Sequence, residues 1–463
     1  MLEFKPLEKN VQIIKGYPER SEISFCDISI GVKYMWRDDF KIDYAIIEDT
    51  LIMKETCRDY ANAFYYPIGK NPQKALTLIE EYCVRQGIPL KFCCIDNETA
   101  GNLSLRYQTE IYNDRDWSDY IYLAESFKTY SGKKMSGQRN HVNRFKKNYP
   151  NYQFKVFTQQ DLPAVKEFLT EFEHNAHFSG WSAIEEQKKV LDYVEHALEL
   201  NQLGGFILVD NKIIAISFGE IVNDTLIVHV EKGIYSFEGV YPTMAQEFAR
   251  AFATEKVKFI NREEDCGDMG LRISKLQYHP IEVKQKNLVR VKTFADNISL
   301  PINITTERLE IGSTGNNEEE SYFNLSVNDE INALWGYDYK EDLGNNTPNQ
   351  QYFSNFRKTL EQNKEEFSLA VKLNGQMIGE IVLWNFAYDG GVEIGTRFFK
   401  EYHGKGYAYE SVGAVINYLK KLGVKTLRTR AFFENYASNK LFQKLGFKIN
   451  TKDELKNYYL MNF

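Results

Sequence analysis

The sequence predicts an α/β protein of about three related units, and three observations carry that expectation. At 463 residues the chain is too long for one ordinary core and matches about three domains of ~150 residues each. Its 30 Tyr and 31 Phe favour strands and the cores between sheets and helices. Finally, one order of elements (strand, hairpin, strand, helix, strand) recurs along the chain, although without a fixed period.

Each recurrence can be justified from its pattern. In the first, 43–48 and 50–54 alternate as hairpin strands, 72–83 places apolar residues three and four apart as a helix does, and 90–95 returns as a strand. In the second, helices over 161–175 and 182–200 precede a strand at 205–212 that turns at Asp210-Asn211 into 213–220. A strand at 224–231, a helix at 241–254 and a strand at 258–261 follow. In the third, 367–372 turns at 373–376 into 377–384, and 391–398 leads through a glycine loop to a helix at 409–422 and a strand at 426–431.

Charge and cysteine usage narrow the function classes. A net charge of −7 excludes a general nucleic-acid coat and leaves only a local basic patch for a polyanion. The six cysteines show no CxxC pair and no ligand spacing with histidine, so reduced thiols and no metal are expected. No stretch approaches ~18 apolar residues and residues 1–6 form no apolar leader, so we expect a cytoplasmic protein with no integral membrane segment.

The third unit holds the clearest chemistry. His403-Gly404-Lys405-Gly406-Tyr407-Ala408 lies between a predicted strand and a predicted helix. The two glycines let the backbone turn tightly and present N–H groups beside a helix start, an arrangement suited to a pyrophosphate. The run from Glu401 to Glu410 resembles the acetyl-CoA loop of the GNAT superfamily, in particular its ribosomal-protein N-acetyltransferase branch. The segment from Glu434 to Phe447 resembles that branch's Asn–x–x–Ser helix ending in Gly-Phe, and Thr306-Glu307-Arg308-Leu309-Glu310 is similar to its opening strand. The resemblance implies acetyl-CoA as co-substrate, held at His403, Gly404, Lys405, Gly406, Tyr407 and Ala408, with the pantetheine arm beside Phe398 and Phe399 and hydrogen-bonded by Asn435. It implies Glu393 as the group that takes the amine proton and Ser438 or Tyr436 as the acid for the departing thiolate. Two departures stand out: His403 replaces the branch's Gln or Arg, and Phe442 stands where many relatives carry the tyrosine acid.

The first 300 residues carry two dense polar runs. Asn261-Arg262-Glu263-Glu264-Asp265-Cys266-Gly267-Asp268 continues to Tyr278-His279-Pro280, packing acids, bases and glycines at a strand end, as a polar site would. Lys133, Lys134, Arg139, Arg144, Lys146 and Lys147 form a basic segment suited to a polyanion such as CoA phosphate or a tRNA backbone. With the Val228-His229-Val230-Glu231-Lys232-Gly233 run, these resemble a bacterial family related to the C-terminal domain of phosphatidylglycerol lysyltransferases. Together the resemblances imply three tandem GNAT-like units at 1–128, 129–298 and 303–463, each a mixed, mostly antiparallel twisted sheet flanked by helices.

The expected function is N-acyl transfer from acetyl-CoA to a small-molecule or peptide amine, with the N-terminal pair selecting the acceptor or acting as a second transferase. The alternatives are aminoacyl-tRNA-dependent transfer by the N-terminal pair and a non-catalytic CoA sensor. Acidic residues at Glu318-Glu319-Glu320 and over 338–342 would favour a cationic acceptor, although a solvated helix face explains them better.

Overall fold

A computed structural model of the protein describes residues 2–21, 23–57, 60–175, 181–340 and 347–463. Glu341 and Asp342, part of the acidic run over 338–342, lie outside the described residues. The chain forms two compact units: Met1–Leu78 with Lys91–Arg290, and Ile79–Leu90 with Val291–Phe463.

Among the described residues the strands form three mixed sheets of eight, seven and eight strands, flanked by helices. The first runs Lys5–Pro6, Lys41–Ile47, Thr50–Thr56, Ala63–Phe64, Lys91–Ile95, Asn287–Val291, Thr109–Asn113, with Ile68–Gly69 added beside Thr50–Thr56. The second runs Glu282–Lys284, Asp119–Leu123, Phe259–Asn261, Thr225–Gly233, Lys212–Val222, Leu203–Val209, Gln153–Val156. The third runs Asn303–Thr305, Glu310–Ser313, Glu366–Leu373, Gln376–Trp384, Gly391–Phe398, Thr426–Phe432, Lys456–Asn462, Lys448–Lys452.

The hairpins form where the turn chemistry allows them. Asp210 and Asn211 take φ of +49° and +63°, and Asn374 and Gly375 take +51° and +80°, the left-handed pair that matches the twist of two-residue hairpins. Each sheet also contains a short parallel contact bridged by a helix. Ala63–Phe64 pairs with Lys91–Ile95 across Pro72–Gln86; Thr225–Gly233 pairs with Phe259–Asn261 across Val240–Phe252; Gly391–Phe398 pairs with Thr426–Phe432 across Tyr407–Lys421. A parallel pair needs such a crossover, so the strand–helix–strand order read in the sequence becomes the same local topology three times.

Packing fixes these elements. In the C-terminal unit Val412, Val415, Ile416 and Leu419 line one face of the helix Tyr407–Lys421 and bury it against Leu369, Ile381, Ile394 and Leu427 of the sheet. Each such side chain contributes about 1.5–3 kcal/mol of transfer free energy, so a charge at Val415 would detach the helix that ends the glycine loop. In the N-terminal unit one core joins the first two sheets, from Leu51 and Met53 through Val190 and Tyr193 to Phe206, Phe218 and Val230.

Candidate functional site

The C-terminal site begins where two strands part. Gly391–Phe398 and Thr426–Phe432 are parallel and paired at Gly391, Val392 and Glu393, opposite Thr426, Leu427 and Arg428, and no further. Beyond that point each strand keeps only its outer neighbour, so backbone groups of 394–398 and 429–432 face a gap between them. The first strand ends at Phe398, and the Phe399 N–H donates to the Ile378 carbonyl at 3.1 Å. After a short turn at Lys400–Tyr402, His403 places its ring Nε2 3.0 Å from the Phe398 carbonyl, so this side chain braces the loop.

Gly404 and Gly406 have φ of +73° and +83°, a region costly for other residues. Gly406 is the N-cap of Tyr407–Lys421 and supplies no side-chain cap, which leaves the first N–H groups of the helix without intrahelical partners. Arg308 adds positive charge here. Its Nη1 donates to the Lys405 carbonyl at 3.2 Å, its Nη2 stands 2.6 Å from Glu410, and its guanidinium lies 4.7 Å from the Tyr407 ring centroid. Arg308 was legible only as part of an opening strand; its place beside the loop depends on a contact a hundred residues away.

Glu393 is buried rather than turned to solvent. Its Oε2 accepts from Asn385 Nδ2 at 2.7 Å and its Oε1 lies 3.1 Å from Arg430 Nε. Asn435 accepts a hydrogen bond from the Ser438 N–H at 3.1 Å and caps the helix Tyr436–Lys444. Ser438 is half-buried on the first turn, and Tyr436 is 80% exposed. Phe442 packs against Phe447 and Tyr459 in the core. The structure thus brings Phe398, Phe399 and the loop residues together, and separately joins Asn435 to Ser438. Among the described residues no hydrogen bond or ion pair links Glu393 to Ser438 or Tyr436. Behind the site, Arg397 pairs with Glu380 at 2.8 Å and donates to Asn332 at 3.0 Å, tying the central strand to the helix Asp329–Trp335.

The N-terminal unit contains a cavity of about 1390 Å³. Its wall includes His229, Glu231 and Lys232 from the second sheet and Arg262, Glu263, Glu264, Lys275 and Tyr278 from the polar run. The polar density read at that strand end therefore faces a cavity. His229 is fully buried, with Nδ1 2.6 Å from Glu263 and Nε2 3.0 Å from Glu220. Burial alone would lower the imidazole, but its hydrogen bonds to the two carboxylates hold it up at about 9. Burial raises Glu263, whereas at Glu220 burial is outweighed by the His229 hydrogen bond and charge together with the hydrogen bonds from Gly31 and Gln202, and the carboxyl is lowered. Gly31 explains the close fit: a Cβ there would stand 2.5 Å from His229 Nε2, and its N–H donates to Glu220 at 2.6 Å. Nearby, Arg262 pairs with Glu231 at 2.9 Å and stacks 4.7 Å from the Tyr278 ring centroid.

Arg139, Arg144, Lys146 and Lys147 of the basic run lie on the helix Ser136–Asn148, and Lys133 and Lys134 in the turn before it. Arg139 donates to the Tyr130 and Gly132 carbonyls, Arg144 pairs with Glu238 and Lys146 with Glu247. Lys133, Lys134 and Lys147 are exposed and make no ion pair among the described residues, so half of the basic segment is spent on the protein itself. No helix among the described residues is long and apolar enough to cross a membrane.

Comparison with known proteins matches both regions. The profile of the phosphatidylglycerol lysyltransferase C-terminal family covers residues 21–289, and that of the acetyltransferase (GNAT) domain covers residues 316–448. A curated relative, the uncharacterized N-acetyltransferase YoaA of Bacillus subtilis, is 26% identical over 163 residues, spanning 34% of this chain and 89% of the relative. A crystal structure of a conserved protein of unknown function from Bacteroides thetaiotaomicron matches with a TM-score of 0.57 and 27% identity, over 63% of this chain and all of that one. An acetyltransferase of the GNAT family from Bacillus anthracis matches 35% of this chain and 98% of its own at 20% identity, with a TM-score of 0.30.

Proposed function

The chain belongs to the phosphatidylglycerol lysyltransferase C-terminal family and carries a GNAT acetyltransferase domain behind it, and from this we propose that the C-terminal unit transfers an acetyl group from acetyl-CoA to an amine. One observation carries the reading: two parallel strands part after three pairs, and the first runs into a glycine loop whose helix start has no side-chain cap. The pyrophosphate sits on the N–H groups around Gly404–Ala408, with Lys405 and Arg308 supplying positive charge and His403 bracing the turn. The pantetheine arm lies in the gap beside Phe398 and Phe399 and pairs with their strand as a third strand would. Asn435 donates its free amide hydrogens to the arm while its oxygen caps the helix.

In the transfer step the neutral amine attacks the thioester carbonyl, the amine loses a proton, and the leaving sulfur gains one. Glu393 takes the amine proton, directly or through water, once the acceptor displaces Arg430 from its Oε1. A backbone N–H of the gap polarises the carbonyl. Ser438, half-buried, protonates the thiolate; Tyr436 is the exposed second candidate. A small-molecule or peptide amine fits this chemistry. The unit boundaries 1–128, 129–298 and 303–463 belong to the same reading, with two exchanges across them: Asp119–Leu123 joins the second sheet and Asn287–Val291 the first.

A second reading has the N-terminal unit as an aminoacyl-tRNA-dependent transferase. The large cavity lined by ionisable groups supports it, while the internal pairing of Arg139, Arg144 and Lys146 weakens the tRNA patch.

The test is release of free CoA thiol from acetyl-CoA over a panel of amines. We expect turnover with at least one amine, and a fall of about 10²-fold or more in kcat/KM for Glu393→Gln with the acetyl-CoA Kd unchanged. Acetyl-CoA binding with no turnover over the whole panel would leave only a CoA-binding sensor, and turnover equal in wild type, Glu393→Gln and Ser438→Ala would remove both residues from the mechanism.

A further inference from the structure

Two clusters of acids and thiols face the N-terminal cavity, and they differ in one respect. In the first, Cys26, Asp27, Asp119 and Glu264 surround the buried ammonium of Lys286. Its Nζ stands 2.5 Å from Asp27, 2.8 Å from Asp119 and 3.3 Å from Cys26 Sγ, and it also pairs with Glu264. This cluster carries its own cation.

The second cluster does not. Glu55, Cys93 and Cys94 bring one carboxylate oxygen and two sulfurs within 4.8 Å of one another. Glu55 is 2% exposed and accepts hydrogen bonds from the Tyr60 and Tyr65 hydroxyls, but makes no ion pair among the described residues. The Lys33 ammonium stacks 3.6 Å from the Tyr65 ring centroid instead of on the carboxylate. A buried carboxylate is costly without a compensating cation.

Backbone geometry aims the donors together. Successive strand residues point to opposite faces, so adjacent cysteines in Lys91–Ile95 should diverge. Cys94 takes a φ of +53°, which breaks the alternation, and both thiols line the cavity beside Glu55.

We propose that Glu55, Cys93 and Cys94 bind a thiophilic divalent cation, Zn²⁺ by ligand preference, with its fourth position open to the cavity. Two sulfurs and a carboxylate form a Zn²⁺ donor set at about 2.0–2.3 Å per bond, and three protein ligands with one open position are the pattern of a cation that meets a ligand. Each thiol loses its proton to solvent as its sulfur binds, so the two charges of the cation replace the two protons released and the site's net charge is unchanged. Because both sulfurs must shed their protons to bind, uptake should strengthen as pH rises. The sequence expectation of no metal rested on spacing; Glu55 and the cysteine pair meet only through the first sheet.

The test titrates the full chain, stripped with a chelator, with ZnCl₂ by calorimetry and with CoCl₂ by absorbance. We expect about one equivalent of Zn²⁺, proton release that scales with buffer ionisation enthalpy, and a Co²⁺ thiolate charge-transfer band. Cys93→Ser with Cys94→Ser should weaken Zn²⁺ by at least about 10²-fold and remove the band, Glu55→Gln should weaken it with the band kept, and Cys26→Ser should change nothing. Far-ultraviolet circular dichroism of the metal-free variants reports folding; if the double variant fails to fold, Glu55→Gln and the wild-type band carry the test. Absence of uptake by the folded wild type, absence of the thiolate band, or uptake unchanged in a folded double variant would overturn the proposal.

Discussion

Glu393 is the last paired residue of its strand and Arg430 lies two residues past its partner Arg428, where the strands have parted, so their contact at 3.1 Å is made by side chains alone. That is why Glu393 was legible as a polar residue just before the loop while its partner was not: the pairing depends on where two strands diverge. The same holds for His229, whose run stood out in sequence but whose carboxylates, Glu220 and Glu263, come from two other segments. Here a pH dependence follows. The folded imidazole titrates at about 9, against about 6.5 in an unfolded chain, so its stabilisation is complete below about pH 6.5 and is lost as pH rises through about 9. A shift of this size is worth on the order of 3 kcal/mol. The urea midpoint of the wild type should fall across that window, and His229→Gln should be less stable at low pH with a flatter profile. Parallel profiles would show that the imidazole is not the group responsible.

At the scale of elements, Asn435 carries two roles that separate cleanly. Its Oδ1 accepts from the Ser438 N–H, while its Nδ2 makes no hydrogen bond among the described residues. Asn435→Ala should cost about 0.5–2 kcal/mol through the lost cap, read as a lower Tm. Asn435→Asp keeps the cap oxygen but not the donor, so its Tm should hold while its acetyl-CoA Kd weakens by roughly tenfold, the worth of one hydrogen bond. An Asp variant that binds like the wild type would confine Asn435 to capping. Periodicity and turn chemistry made most elements legible: the hairpins at Asp210-Asn211 and Asn374-Gly375 stand where expected, and the loop helix begins at Tyr407, two residues before the expected 409. The strand Asn287–Val291 was not legible as part of the first sheet, because it pairs with Lys91–Ile95 nearly two hundred residues earlier.

For the whole molecule, the sequence made the three-fold recurrence of strand and helix visible, and the structure turns it into three mixed sheets that each contain a short parallel contact. The cavity was not visible, because segments from Cys26 to Leu288 contribute to its wall and only folding assembles them. The glycine loop is different: residues 403–408 are contiguous, so its chemistry survives in the sequence alone, and the account depends most on it. The direct test is calorimetric titration of the full chain with acetyl-CoA, in wild type and in Gly404→Val. Nothing stands within 4 Å of a Cβ built at Gly404, so the fold leaves room for a side chain there despite a φ of +73° that costs about 1–2 kcal/mol. The wild type should bind acetyl-CoA with about one equivalent, and the folded Gly404→Val chain should bind at least about tenfold more weakly, because the valine fills the phosphate cradle. Equal affinity in the two proteins, or none in the wild type, would contradict an acetyl-CoA site at this loop.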